Sequence, residues 1–69
     1  MQIRAYQKGE LAQMYYPWCG KRQALSNFNR DVQRSWALCR GLRRMGWRPA
    51  NRIFTERQSE LIFRILGEP

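Results

Sequence analysis

From Ala24 to Met45 the chain carries one apolar stripe at helical spacing, and this pattern commits its middle third to helix. Ala24, Leu25, Phe28 and Val32 fall on one side at about 100° per residue. Trp36, Cys39, Leu42 and Met45 continue the stripe in phase, with Leu38 at its edge. A single helix from Lys21 to Met45 would measure about 37 Å at 1.5 Å per residue. A chain of 69 residues cannot cover that length. A break near Gln33 to Ser35 is therefore expected, with Ser35 capping the helix that follows.

The flanking segments fit around this core. Ile3-Arg4-Ala5-Tyr6 alternates apolar and polar residues and reads as a short strand. It feeds a helix over Lys8 to Tyr16, with Leu11, Ala12, Tyr15 and Tyr16 on one face. Pro17 stops that helix, because it lacks the amide donor and restricts the residue before it. Trp18-Cys19-Gly20 makes a tight turn into the next helix. Helix, short turn with glycine, second helix: this is a helix-turn-helix pattern.

After the third helix, Gly46 closes the segment and Trp47 is expected to fold back onto the core. Arg48-Pro49-Ala50-Asn51-Arg52 is a basic loop leading into a second strand, Arg52-Ile53-Phe54. The two strands have only each other to pair with, giving a minimal ribbon whose basic loop, Arg48 to Arg52, resembles the wing of a winged helix. Thr55-Glu56-Arg57-Gln58 is a capping box. The last helix runs to Leu66, with Leu61, Ile62, Ile65 and Leu66 facing in and Phe63 pointing out, and Gly67 and Pro69 close it. The expected fold is mainly α: four short helices with a minimal two-stranded β-ribbon, winged helix-turn-helix-like, with residues 1–69 as a single domain.

Chemistry concentrates on the helix from Gly20 to Gln33. Opposite its apolar stripe lie Arg22, Gln23, Ser26, Asn27, Asn29, Arg30 and Gln33. Arginine pairs with guanine edges, and asparagine or glutamine with adenine edges. An ordinary solvated helix would more often carry Glu and Lys there. Charge agrees with this placement. The net charge is +8, and residues 21–52 hold nine of the thirteen cations against Asp31 alone. Eleven of the thirteen are arginine, which forks onto phosphate and guanine where lysine offers a point charge. A basic patch centred on one segment is the footprint of phosphate contact.

The expected function is sequence-specific binding of double-stranded DNA, in a transcriptional regulator or an accessory factor of a mobile element. The seven outward residues would read bases, three or four of them reaching base edges, while Lys21, Arg34, Arg48 and Arg52 hold phosphates. One small reader specifies few base pairs, so a homodimer or neighbouring copies on repeated sites is expected. Arg40 and Arg44, one turn apart, repel mildly. A phosphate between them would relieve this, and two solvated arginines is the plainer reading. The alternative function is a small adaptor or inhibitor whose arginine-rich face docks an acidic protein partner. RNA binding is less favoured, because no strand bears exposed aromatics for stacking.

Other classes fit poorly. The chain has no histidine, its two cysteines lack a partner base, and its five carboxylates are scattered, so no enzyme and no cofactor is expected. Cys19 and Cys39 match neither zinc-finger spacing nor a disulfide framework, so reduced thiols are expected and no metal site. Nothing points to a small-molecule substrate. The 18 or so apolar residues of a membrane span are missing, and the first residues do not read as a signal peptide. A cytoplasmic protein with no membrane partner is expected.

The chain also resembles a family. Ile3-Arg4-x-Tyr6-x-Lys8-x-Glu10-Leu11-Ala12 with Tyr15 and Pro17 is one matching block. Gly46-Trp47, Phe54-Thr55-x-x-Gln58, Leu61-Ile62 and the ending Leu66-Gly67-Glu68-Pro69 are the others. These residues are similar to those of short bacterial proteins, best represented in gut anaerobes, that carry a domain of unknown function. The family pattern places a proline near position 36, where this chain has Trp36. The resemblance implies fold boundaries and no activity. At the level of fold, a strand followed by a helix-turn-helix and a wing is similar to excisionase and mercury-regulator type DNA-binding domains.

Overall fold

The computed structural model describes residues 2–69. Strand β1 (Tyr6–Gln7) leads directly into α1 (Lys8–Tyr15), followed by α2 (Lys21–Arg34) and α3 (Trp36–Arg44). Strand β2 (Ile53–Phe54) and α4 (Glu56–Leu66) complete the described elements. The strands pair antiparallel, Tyr6 opposite Phe54 and Gln7 opposite Ile53. The protein is thus mainly helical, with a minimal two-stranded ribbon.

Local chemistry sets each boundary. Ser35 alone separates α2 from α3: its backbone leaves the helix (φ −90°, ψ 103°), and its hydroxyl accepts the Leu38 N–H at 3.2 Å. Gly46 ends α3 in a Schellman motif. Its N–H donates to the Arg43 carbonyl at 3.0 Å, and the Trp47 N–H donates to the Leu42 carbonyl at 2.9 Å. The motif needs the left-handed φ of +83° found at Gly46, which a Cβ would strain. At α4 the Thr55 hydroxyl accepts the Gln58 N–H at 3.3 Å, and the Gln58 side-chain oxygen accepts the Thr55 N–H at 3.0 Å. The Gln58 amide also donates to the Met45 carbonyl at 3.1 Å, joining the end of α3 to the start of α4.

The core gathers around Phe54, which is fully buried. Its ring stacks on Trp47 at 5.3 Å and meets Phe28 edge-on at 6.0 Å, and Tyr15 packs on Phe28 with ring centres 5.7 Å apart. Ala24, Phe28 and Val32 of α2 are buried against Leu11 and Ala12 of α1, Leu38 and Leu42 of α3, and Ile62 of α4. Burying a large apolar side chain contributes about 1.5–3 kcal/mol, so this cluster supplies most of what orders so short a chain. Trp47 folds back onto the core as its position predicts, at 4% exposure.

Four expectations are corrected. The first strand is Tyr6–Gln7 and not Ile3 to Tyr6, because pairing with Phe54 selects Tyr6, and Ile3 stays exposed. Trp36, expected in the stripe, is 71% exposed, and Met45 is exposed too. The non-helical backbone at Ser35 resets the helical phase, so Leu38 turns inward beside Leu42, which is buried as its place in the stripe predicts, while Trp36 and Met45 turn out. In α4, Phe63 is buried and meets the Tyr6 ring edge-on at 5.8 Å, whereas Ile65 is exposed. Leu25 and Cys39 are only partly buried at the edge of the core.

Candidate nucleic-acid interface

The α1–turn–α2 segment is braced from inside. Gln13 uses one side-chain amide to hold the Tyr16 carbonyl at 3.1 Å and the Cys19 carbonyl at 2.7 Å, which fixes the turn after Pro17. The Tyr16 hydroxyl donates to Asp31, tying the turn to the third turn of α2. Sharing this proton with Asp31 raises the Tyr16 pKa. Asp31 is therefore occupied on the α1 side of α2, away from the outward face.

That outward face carries Arg22, Gln23, Ser26, Arg30, Gln33 and Arg34, all exposed. Asn27 and Asn29 sit on its two borders and are partly buried. Asn27 acts as a hub: its side-chain oxygen accepts from Gln23 at 2.9 Å and from Arg30 at 3.1 Å. Its amide points to the Cys19 sulfur at 3.8 Å. Asn27 thus orients Gln23 and Arg30 and has little capacity left for a ligand. Among the described residues, no side-chain hydrogen bond within the protein engages Arg22, Ser26, Asn29, Gln33 or Arg34.

The basic loop lies along the other border of α2. The Lys8 ammonium donates to the Pro49 carbonyl at 3.1 Å, and the Lys8 N–H donates to the Arg52 carbonyl at 2.7 Å. These bonds pin residues 48–52 beside the start of α1. Leu25 of α2 and residues 49–53 line one cavity of about 810 Å³, and Asn29 and Gln33 share a second with Pro49. Arg48 and Arg52 are exposed on this loop. The structure therefore brings the loop beside α2.

The remaining cations divide by position. Lys21 and Arg22 line a cavity of about 910 Å³ with α1 residues Glu10, Gln13 and Met14. Arg34 joins Arg40, Arg43 and Arg44 of α3 around another, of about 630 Å³. Lys8, Arg40, Arg43 and Arg44 were not among the predicted site residues. For the three arginines the signal is present in the sequence, since no carboxylate occurs between Asp31 and Glu56; Lys8, near Glu10, carries no such signal.

A small, strongly basic, mainly helical domain of four helices with a two-stranded antiparallel ribbon is the class these features define. Residues 2–69 match the family described as a domain of unknown function (DUF4248), and the chain belongs to that family. Compared with curated proteins and with solved structures, the chain finds no match. No helix among the described residues is long and apolar enough to cross a membrane.

Proposed function

We propose that this protein binds double-stranded DNA sequence-specifically, with α2 in the major groove and the 48–52 loop beside it as a wing. The observation that carries the reading is the face of α2. Arginine, glutamine and serine side chains project from it, and its one acidic neighbour, Asp31, is turned aside and held by Tyr16. A helix about 10–12 Å across with its side chains fits a major groove about 12 Å wide. Arg22, Ser26, Arg30 and Gln33 are the base-reading residues, with Asn27 positioning Arg30 and Gln23. Asn29 borders the groove on the loop side. Lys21, Arg34, Arg48 and Arg52 hold the flanking phosphates. Gene regulation or assistance to a mobile element are the roles such a reader serves, with paired copies on repeated half-sites.

The test is selection from a randomised duplex pool at about 150 mM salt, where charge-only binding is weakened. An enriched motif that disappears with Arg30→Ala is the expected result. A pool that stays random, while the folded protein binds every duplex equally at low salt, overturns the reading. The arginine-rich face would then belong to an acidic protein partner.

A further inference from the structure

We infer that the groove between the C-terminal half of α2 and α3 holds the sugar–phosphate backbone of the duplex, alongside the base-reading face, which it meets at Gln33; this rests on the DNA-binding reading above. Two adjoining cavities of about 630 and 400 Å³ form the groove, and both are lined by Gln33, Cys39 and Arg43. The larger adds Arg34, Arg40 and Arg44, and the smaller adds Lys8. Five cations therefore border it, and no carboxylate lines either cavity. The two ion pairs among the described residues, Arg4–Glu10 and Arg64–Glu60, lie elsewhere. Like charges this close repel one another, and the groove offers no internal countercharge to relieve them. An anionic ligand supplies it.

The form of the groove selects the kind of anion. Its cations come from three helices, Lys8 from α1, Arg34 from α2 and Arg40, Arg43 and Arg44 from α3. They are distributed over two adjoining cavities, whereas a compact anion needs its cations around one point. A nucleic-acid strand carries one charge about every 3.4 Å and meets such a row of cations in sequence. Trp36 stands at the α3 end, 71% exposed, with the Arg40 guanidinium 5.0 Å from its ring centre. Its flat face can cover deoxyribose while Arg40 and Arg44 reach the adjacent phosphates. At the other end Lys8 is held by the Pro49 carbonyl, 5.3 Å from the centre of the Trp47 ring. An anionic membrane surface fits less well. Trp36 is the only large exposed apolar side chain lining the groove, and membrane-surface helices bury a continuous apolar face.

The experiment is the salt dependence of duplex affinity for the full chain and for the Arg40→Gln/Arg44→Gln double variant, with Arg30→Ala in parallel. Both arginines are exposed, so circular dichroism should report an unchanged fold. Losing two phosphate contacts should lower the slope of log K against log salt by about 1.8. Carried from 1 M to 0.15 M salt, that slope change weakens binding about 30-fold. The same factor is expected on the selected duplex and on unrelated ones. An unchanged slope and affinity in the double variant overturns the groove, while lost preference with Arg30→Ala leaves α2 as the reader. A reduced slope in a protein that shows no sequence preference supports the groove and removes the reading helix. Loss of binding to phosphatidylglycerol vesicles, with duplex affinity unmoved, assigns the groove to a membrane and overturns the inference.

Discussion

Ser59 and Gln58 are neighbours, both buried on the inward face of α4, and the structure gives them opposite energetic signs. The Gln58 side chain is satisfied, with its oxygen on the Thr55 N–H and its amide on the Met45 carbonyl. The Ser59 hydroxyl is fully buried and has no hydrogen-bond partner among the described residues. A buried hydroxyl left unpaired costs about 1–3 kcal/mol. Ser59→Ala removes that cost and gains about 0.5 kcal/mol of helix propensity. The void left by one oxygen, about 15 Å³, returns roughly 0.4 kcal/mol as lost packing. The net expectation is a gain of about 1–3 kcal/mol. At roughly 4–8 °C per kcal/mol for a domain of this size, the thermal midpoint should rise by at least about 4 °C. Gln58→Ala should instead lose about 2 kcal/mol, one for each hydrogen bond. Thermal and urea unfolding of the two variants, followed by circular dichroism, measures both. A lower midpoint for Ser59→Ala would mean that the hydroxyl has a partner, and the assignment of an unpaired group would be wrong.

Two further outcomes are expected. Gly46→Ala places a Cβ at φ +83° and should cost about 1–2 kcal/mol, read as a lower urea midpoint with an unchanged m-value; a neutral result would remove the Schellman stop from the account. The Tyr15 pKa is pushed up to about 12 by burial, and then by Glu68, while its hydroxyl donates to the Gly67 carbonyl. Its folded-state pKa is therefore above the unfolded value near 10. The stability it contributes is complete below pH 10 and is lost as pH rises towards 12. Tyr15→Phe should flatten the fall in thermal midpoint over that window, and an identical fall in the variant would exclude Tyr15 as its source.

The residues that announced the fold act over short distances. Pro17, Ser35, Gly46 and the Thr55–Gln58 pair each set a boundary through their own backbone or side-chain chemistry, and each boundary lies where that chemistry places it. What failed needed knowledge of distant neighbours. Leu61, Ile62, Phe63, Ile65 and Leu66 put apolar residues around much of α4, so its spacing alone does not choose the buried side. Tyr6, far away in sequence, does so by taking Phe63. Trp36 misled for the opposite reason. Its spacing from Val32 is helical only if the helix continues, and Ser35 interrupts it with a change of direction. Strands of two residues each are too short to show alternation, so the register waited for the pairing of Tyr6 with Phe54.

The candidate site was legible in part. The polar face of α2 follows from helical spacing, and the exposure of Arg22, Gln23, Ser26, Arg30 and Gln33 agrees with it. Asn27 looked the same as its neighbours in sequence, yet its hydrogen bonds to Gln23 and Arg30 give it a positioning part. In sequence Arg40 and Arg44 read most plainly as a solvated pair, and the break at Ser35 is what brings them, with Arg43, beside Arg34 and Gln33.

Whether α2 reads bases is decided by a base-pair substitution scan. Affinities of the parent chain, Arg30→Ala and Gln33→Ala would be measured on the selected duplex and on each single base-pair change, at about 150 mM salt. Each variant is predicted to relax the preference at its own base pair, by about 1–3 kcal/mol for a bidentate contact, with preferences elsewhere intact. A uniform loss across every duplex, with no position relaxed, would show that these side chains contribute only charge and would contradict the account.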